Sequence, residues 1–297
     1  MVNTRVYSFM EAKGGITYNM TNNYMFRFIL QKNEKILKGL ICSLLHLQPE
    51  HIKSIEITNP INLAEDITGK EFILDINVLL NDDTFINLEM QVTNEYNWPE
   101  RSLSYLCRAY DNLYSGQDYI EVRPVIHIGF LDFNLHKDEQ EFYATYKLLN
   151  VKTCGLYSDK FVLSVVHLNQ TKMATDEDKA YGIDYWARLF KAKTWEELRM
   201  LAENNEYLKE TAEALYVANA DEAVRQQCRA RADAELRERR LEYAIHKLED
   251  ENEILRKEAE RKDKLAEILM NANRIDDYKK ALVDEEYRKQ LYLDCNL

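Results

Sequence analysis

Between Glu71 and Thr93, apolar and polar residues alternate through two runs separated by Asn81-Asp82-Asp83. Such alternation predicts two β-strands joined by a tight turn. In the first run Phe72, Leu74, Ile76, Val78 and Leu80 share one face, and Asp75 and Asn77 the other. In the second run Ile86, Leu88, Met90 and Val92 lie opposite to Asn87, Glu89 and Gln91. Residues directly opposed in an antiparallel pair stand on the same side of the sheet. The apolar faces therefore coincide only when even-numbered residues oppose even-numbered ones, which requires a loop of odd length or a bulge. A loop of Asn81-Asp82-Asp83 sets Asp75 opposite Glu89, and a shifted register sets it opposite Gln91. Either way, hiding the apolar face gathers Asp75, Glu89 and Gln91 on the other.

Before this hairpin the period is helical. Asn22 or Asn23 caps a helix predicted from about Tyr24 to His46, with Phe26, Leu30, Ile36, Leu37, Leu40, Ile41 and Leu44 as its stripe. Ile52 to Ile57 reads as a short strand closed by Asn59-Pro60, and 63–70 as a loop carrying Glu65 and Asp66. After the hairpin, Pro99 opens a helix of about 100–115 that Gly116 ends. Leu103, Leu106, Tyr110, Leu113 and Tyr114 take its buried positions, while Arg101, Tyr105, Arg108 and Asn112 line another face. Val125 to Phe133 is almost continuously apolar, as in a strand covered on both sides, and His127 within it reads as a core imidazole. Residues 141–149 and 161–168 add two strands, giving an α-β-β-β-α-β core.

No proline follows Pro124 and no glycine follows Gly182, so the last third lacks helix breakers. It reads as short helices over 185–190, 195–204 and 207–218, a long helix over 221–269, and a final helix or pair over 276–293. Acids and bases alternate along the long helix, as on an ion-paired, solvated surface. Leu241, Leu248 and Leu255 recur every seven residues until Lys262 breaks the series. This helix packs on its own chain or pairs with a second subunit in a homodimer.

Composition narrows the class. The formal net charge of −12 opposes long-range attraction to nucleic acid, whose binders usually present a basic face. The five cysteines are scattered without a Cys-x-x-Cys spacing, which fits reduced thiols better than disulfides or a zinc site. The first residues have no signal-like apolar core, and no run is long enough to cross a bilayer. A cytoplasmic protein without membrane association is expected.

Two carboxylates sharing a sheet face repel, raise a pKa or recruit a cation. Mg²⁺ is typically held by one or two carboxylates with waters and substrate phosphate. An ordinary hairpin with one wet face shows the same alternation.

The order Asp75, then a hairpin, then Glu89-x-Gln91 resembles the PD-(D/E)xK nucleases, in particular the Rpn group of recombination-promoting nucleases and transposases, where Gln commonly replaces the motif lysine. The likeness extends through Asn22-Asn23-Tyr-Met-Phe26-Arg27, Leu88-Glu-Met-Gln91, Arg101 to Tyr119, and Pro124 to Phe133, roughly the first two-thirds of the chain. It implies a restriction-endonuclease-like α/β fold with a long all-α C-terminal extension, and the change in composition after Gly182 sets the expected domains at 1–182, nuclease-like, and 183–297, helical. It also implies a DNA endonuclease using Mg²⁺ or Mn²⁺, with Asp75 and Glu89 as metal ligands and Gln91 positioning the attacking water. The helix after the Glu-x-Gln strand lies beside the site in this fold, so Arg101 and Arg108 become candidate phosphate contacts and Tyr105 a positioning group. One departure stands out: Asn23 and Arg27 replace the Asp and Lys usual in the N-terminal motif, Asn keeping an Asp's capacity to cap a helix. The alternative is a catalytically silent module acting in oligomerisation or partner binding through its C-terminal helix.

Overall fold

The computed structural model describes residues 9–59, 75–111, 113, 116–135, 141–203, 205–295 and 297, the side chains of residues 75, 238, 242 and 246 apart. Phe72, Leu74, Glu65 and Asp66 fall outside this set. The chain begins with α1 (Asn23–Lys32) and α2 (Glu34–Leu44), then β1 (Ile55–Ile57), β2 (Asp75–Leu80) and β3 (Thr84–Gln91). Helix α3 (Trp98–Tyr110) leads to β4 (Val125–Leu131), β5 (Tyr143–Leu149) and β6 (Leu156–His167). The strands form one sheet in the order β1-β2-β3-β4-β6-β5. β3, β4 and β6 run parallel to their neighbours in that trio, and the outer pairs are antiparallel. The expected α-β-β-β-α-β core is present.

The hairpin turns on Asn81 and Asp82, both with φ in the left-handed region (53° and 57°), which Asn and Asp tolerate better than other non-glycine residues. Asn81 also ties the turn to the preceding segment: its side-chain oxygen accepts from the Lys53 N–H at 2.7 Å, and its amide donates to the His51 carbonyl at 3.0 Å. The resulting register pairs Asp75 with Glu89 and Leu80 with Thr84. Burial explains why it holds. Ile76, Val78, Leu80, Ile86, Leu88 and Met90 are each at most 4% exposed, and they pack with Phe26 and Leu30 of α1 and Leu37 and Leu40 of α2. Slipping one strand by one residue would send its set to the wrong face, at about 1.5–3 kcal/mol for each large side chain exposed.

The helix expected over 24–46 is two helices. Asn33 takes an extended conformation (φ −135°, ψ 100°) and its side chain accepts the Ile36 N–H, so it ends α1 and caps α2. Asn22 caps α1 by accepting from the Met25 N–H. Helix α3 ends at Tyr110, before Gly116, and its inward positions are Trp98, Ser102 and Leu106; Leu103 is exposed. The stripe that faces the sheet is Trp98, Ser102 and Leu106, spaced by four, and Leu103 lies off it.

Three further helices belong to the same core. Helix α4 (Asp176–Ala180) precedes α5 (Ile183–Lys191), α6 (Trp195–Ala202) and α7 (Glu206–Ala220). Trp186, Phe190, Leu198, Leu208 and Leu215 join the cluster that covers the apolar sheet face. The chain accordingly divides into compact units of Met1–Ala232 and Asp233–Leu297, whereas composition drew its boundary after residue 182. The loss of Gly and Pro marks where helices begin, but their apolar stripes still face the sheet. Helix α8 (Glu222–Asn271) is followed by α9 (Ile275–Val283) and α10 (Glu285–Asp294), and Leu265 and Leu269 pack with Ala281, Leu291 and Tyr292. No helix among the described residues is long and apolar enough to cross a membrane.

Candidate active site

The sheet face away from the main core is covered by α3. Trp98, at the start of that helix, packs with Leu131 of β4 and Val165 of β6. The close approach depends on Gly129: a Cβ there would lie 2.1 Å from Trp98 Cζ2 and 2.3 Å from Cη2. Gly129 stands beside Glu89 in the parallel register. A bare backbone at this point therefore lets α3 settle against β4, beside the strand that carries the acid.

On this face residue 75 is the ladder partner of Glu89, so the two predicted carboxylate positions share one side of the sheet. Glu89 is 1% exposed. Its Oε1 accepts from Arg101 Nε at 2.8 Å, and Arg101 Nη1 reaches Glu95 Oε2 at 3.4 Å. Burial opposes the Arg101 charge, but Glu89, Tyr105 and Glu95 outweigh it and hold the guanidinium above its ordinary pKa. Arg101 therefore turns inward as the counter-ion of Glu89. Its guanidinium also lies 5.6 Å from the Tyr105 ring centroid, and Tyr105 stacks on His127 at 6.1 Å. Arg108, farther along α3, is exposed and is not brought to this cluster.

His127 is fully buried, and its Nε2 lies 3.7 Å from Glu89 Oε2. Burial first and the Arg101 charge second push its pKa down to about 3. The imidazole is neutral near neutral pH, so this approach is not an ion pair. Neither of its nitrogens has a hydrogen-bond partner among the described residues. Gln91 is 5% exposed, and both its amide atoms likewise lack a partner among them. Unmet hydrogen bonding of this kind costs on the order of 1–3 kcal/mol per group, and native interiors seldom carry it in a cluster.

Three polar residues that the sequence reading did not assign to the site extend it. Asn87 Nδ2 donates to Asn77 Oδ1 at 2.6 Å, and Glu95 holds the outer side of Arg101. The parity of 77 and 87 with 75 and 89 was the available signal for the asparagines; the loop that returns Glu95 carried none. The N-terminal motif is structural here. Phe26 is in the core, and Arg27 Nη2 donates to the Asn59 carbonyl at 2.7 Å, while Asn59 Oδ1 accepts from the Asn77 N–H. Asn23 is 5% exposed, and its Oδ1 has no hydrogen-bond partner among the described residues.

Among the described residues no group of three or more His, Cys, Asp and Glu side chains is placed to hold a metal ion. The donor set is of the smaller kind: two acidic positions paired in register and a buried amide without a partner among the described residues. That set fits a hard divalent cation that keeps most of its waters.

A family model described as PD-(D/E)XK nuclease family transposase matches residues 20–244. The chain belongs to this family. The matched span begins just before the Asn22 cap and takes in the sheet and α3. The six-stranded mixed sheet with its flanking helices is the restriction-endonuclease-like α/β fold of a PD-(D/E)XK protein. Comparison with curated proteins gives no match, and neither does comparison with solved structures.

Proposed function

We propose that this PD-(D/E)XK protein is a DNA endonuclease of transposase type, acting in recombination, mobile elements or defence, and dependent on Mg²⁺ or Mn²⁺. Residue 75 paired with Glu89, with a buried Gln91 amide on the same face that has no hydrogen-bond partner among the described residues, is the observation that carries this reading. Asp75 and Glu89 would hold the ion, which when bound supplies positive charge against the negative charge that grows on the scissile phosphate. Gln91 offers a donating amide nitrogen and an accepting carbonyl oxygen, which suit it to orient a water for attack on phosphorus. Arg101 fixes the direction of the Glu89 carboxylate through the hydrogen bond from its Nε. The five free cysteines, two of them exposed, suit the reducing cytoplasm, and the C-terminal helix region is the proposed homodimer contact. The test is incubation of supercoiled plasmid with the protein and Mg²⁺ or Mn²⁺, against the same mixture with chelator. Nicking only in the presence of metal is expected; intact plasmid in every tube would overturn the activity.

The Arg101–Glu89 ion pair also favours a second reading. A guanidinium already balances the buried acid, as it would in a catalytically silent module of the family. Mn²⁺ separates the two, because a ligand that binds only the folded state raises the melting temperature. A silent module would melt unchanged.

A further inference from the structure

Helix α8 carries an apolar seam that nothing among the described residues covers. We propose that this seam pairs with its counterpart on a second copy as a parallel, in-register two-stranded coiled coil. The inference deepens the homodimer reading and rests on it, while standing apart from the nuclease chemistry. Leu241, Ile245, Leu248 and Leu255 are 65%, 54%, 58% and 62% exposed. With Asn252 they are spaced by four, three, four and three residues, the interval of positions that face a partner helix. Taking the leucines as d positions makes Ile245 and Asn252 the a positions.

The surroundings of the seam argue for a copy of the same chain. Every described residue from Leu241 to Lys257 is exposed, so no other element among the described residues packs over this stretch. Ion pairs run along the helix itself, such as Lys257–Glu253 at 2.6 Å and Lys247–Glu251 at 3.9 Å. Pairs of that kind add little, and a helix in water without a packed face is marginal. A parallel dimer in register brings Asn252 against Asn252, where the two amides hydrogen-bond, a device that selects two strands and one alignment. The same register sets Glu251, flanking the seam, near Arg256 of the other copy, an attractive pair. Beyond Leu255 the pattern stops: Lys262 takes the next leucine position, and Glu258 and Asp263 would meet as like charges. Farther on, Leu265 and Leu269 are already covered by α9 and α10. The opposite side of α8 offers no such seam, since its exposed Leu236, Tyr243 and Ile254 are seven and eleven residues apart.

The experiment is light scattering on the purified full chain across a concentration series, with the wild type, Leu248→Glu and Asn252→Cys. The wild type should reach twice the 35.1 kDa chain mass, and Leu248→Glu should stay at the single mass with its helical circular dichroism intact. Asn252→Cys should give a reducible dimer on mild oxidation, above the background that exposed Cys107 and Cys154 give in the wild type. A wild type monomeric at every concentration would overturn the dimer reading altogether. A dimer indifferent to Leu248→Glu would leave dimerisation standing and overturn the seam. A Leu248-dependent dimer whose Asn252→Cys form does not cross-link would overturn the parallel register.

Discussion

Asp75→Asn and Glu89→Gln are each expected to lower metal-dependent plasmid nicking by about 10²–10³-fold. A metal ion supplies several kcal/mol of transition-state stabilisation. At about 1.36 kcal/mol for each factor of ten, loss of a ligand that secures it accounts for a change of that size. Both substitutions nearly preserve volume, so the hairpin register should survive. They differ in a second readout. Glu89 is 1% exposed and accepts from Arg101, so Glu89→Gln also weakens a buried ion pair and is expected to lower unfolding stability by about 1–3 kcal/mol. Asp75→Asn is therefore the cleaner probe of chemistry. Equal nicking by the wild type and both variants in a plasmid time course would reject the assignment of these carboxylates.

Gly129→Ala should be the most damaging single-methyl change in the sheet. The added carbon would sit 2.1 Å from Trp98, which is 1% exposed and wedged between α3 and the strands. Neither neighbour yields easily: the glycine is held by ladders on both sides, and the indole is packed with Leu131 and Val165. Overpacking of this kind costs about 1–3 kcal/mol, occasionally more. Relief by moving α3 outward would draw Arg101 from Glu89 as well. Denaturant unfolding should show the stability loss, and Gly129→Val should exceed it. Unfolding midpoints equal to the wild type for both variants would contradict the wedge.

The fold was largely written in alternation and caps. The hairpin's parity fixed which residues share a face, and a loop of odd length sufficed to bring position 75 to Glu89. Pro99 and the apolar run after Pro124 announced α3 and β4 in the same way. What escaped was of another kind. Asn33 looks like one more polar residue on a helix, yet its side chain can end one helix and cap the next, and local sequence does not say which wins. Arg101 was legible as lying beside the site, but not as turned inward, because that depends on the depth to which Glu89 is buried. Residues 183–220 look unlike the sheet region in composition and still complete its core, since packing depends on where a stripe points rather than on which breakers flank it.

The resemblance in sequence and the family match agree on what the chain is, and the arrangement around Glu89 frames what it does. A nuclease and a silent relative would share this sheet, this turn and this helix. They part at one property: whether the face carrying residues 75, 89 and 91 takes up a cation in competition with the Arg101 guanidinium.

Calorimetric titration of Mn²⁺ into the wild type and into Asp75→Asn tests that property most directly. Saturable binding is expected for the wild type, and its loss, or a weakening of tenfold or more, for Asp75→Asn. Identical titrations, or no heat from either protein, would contradict it.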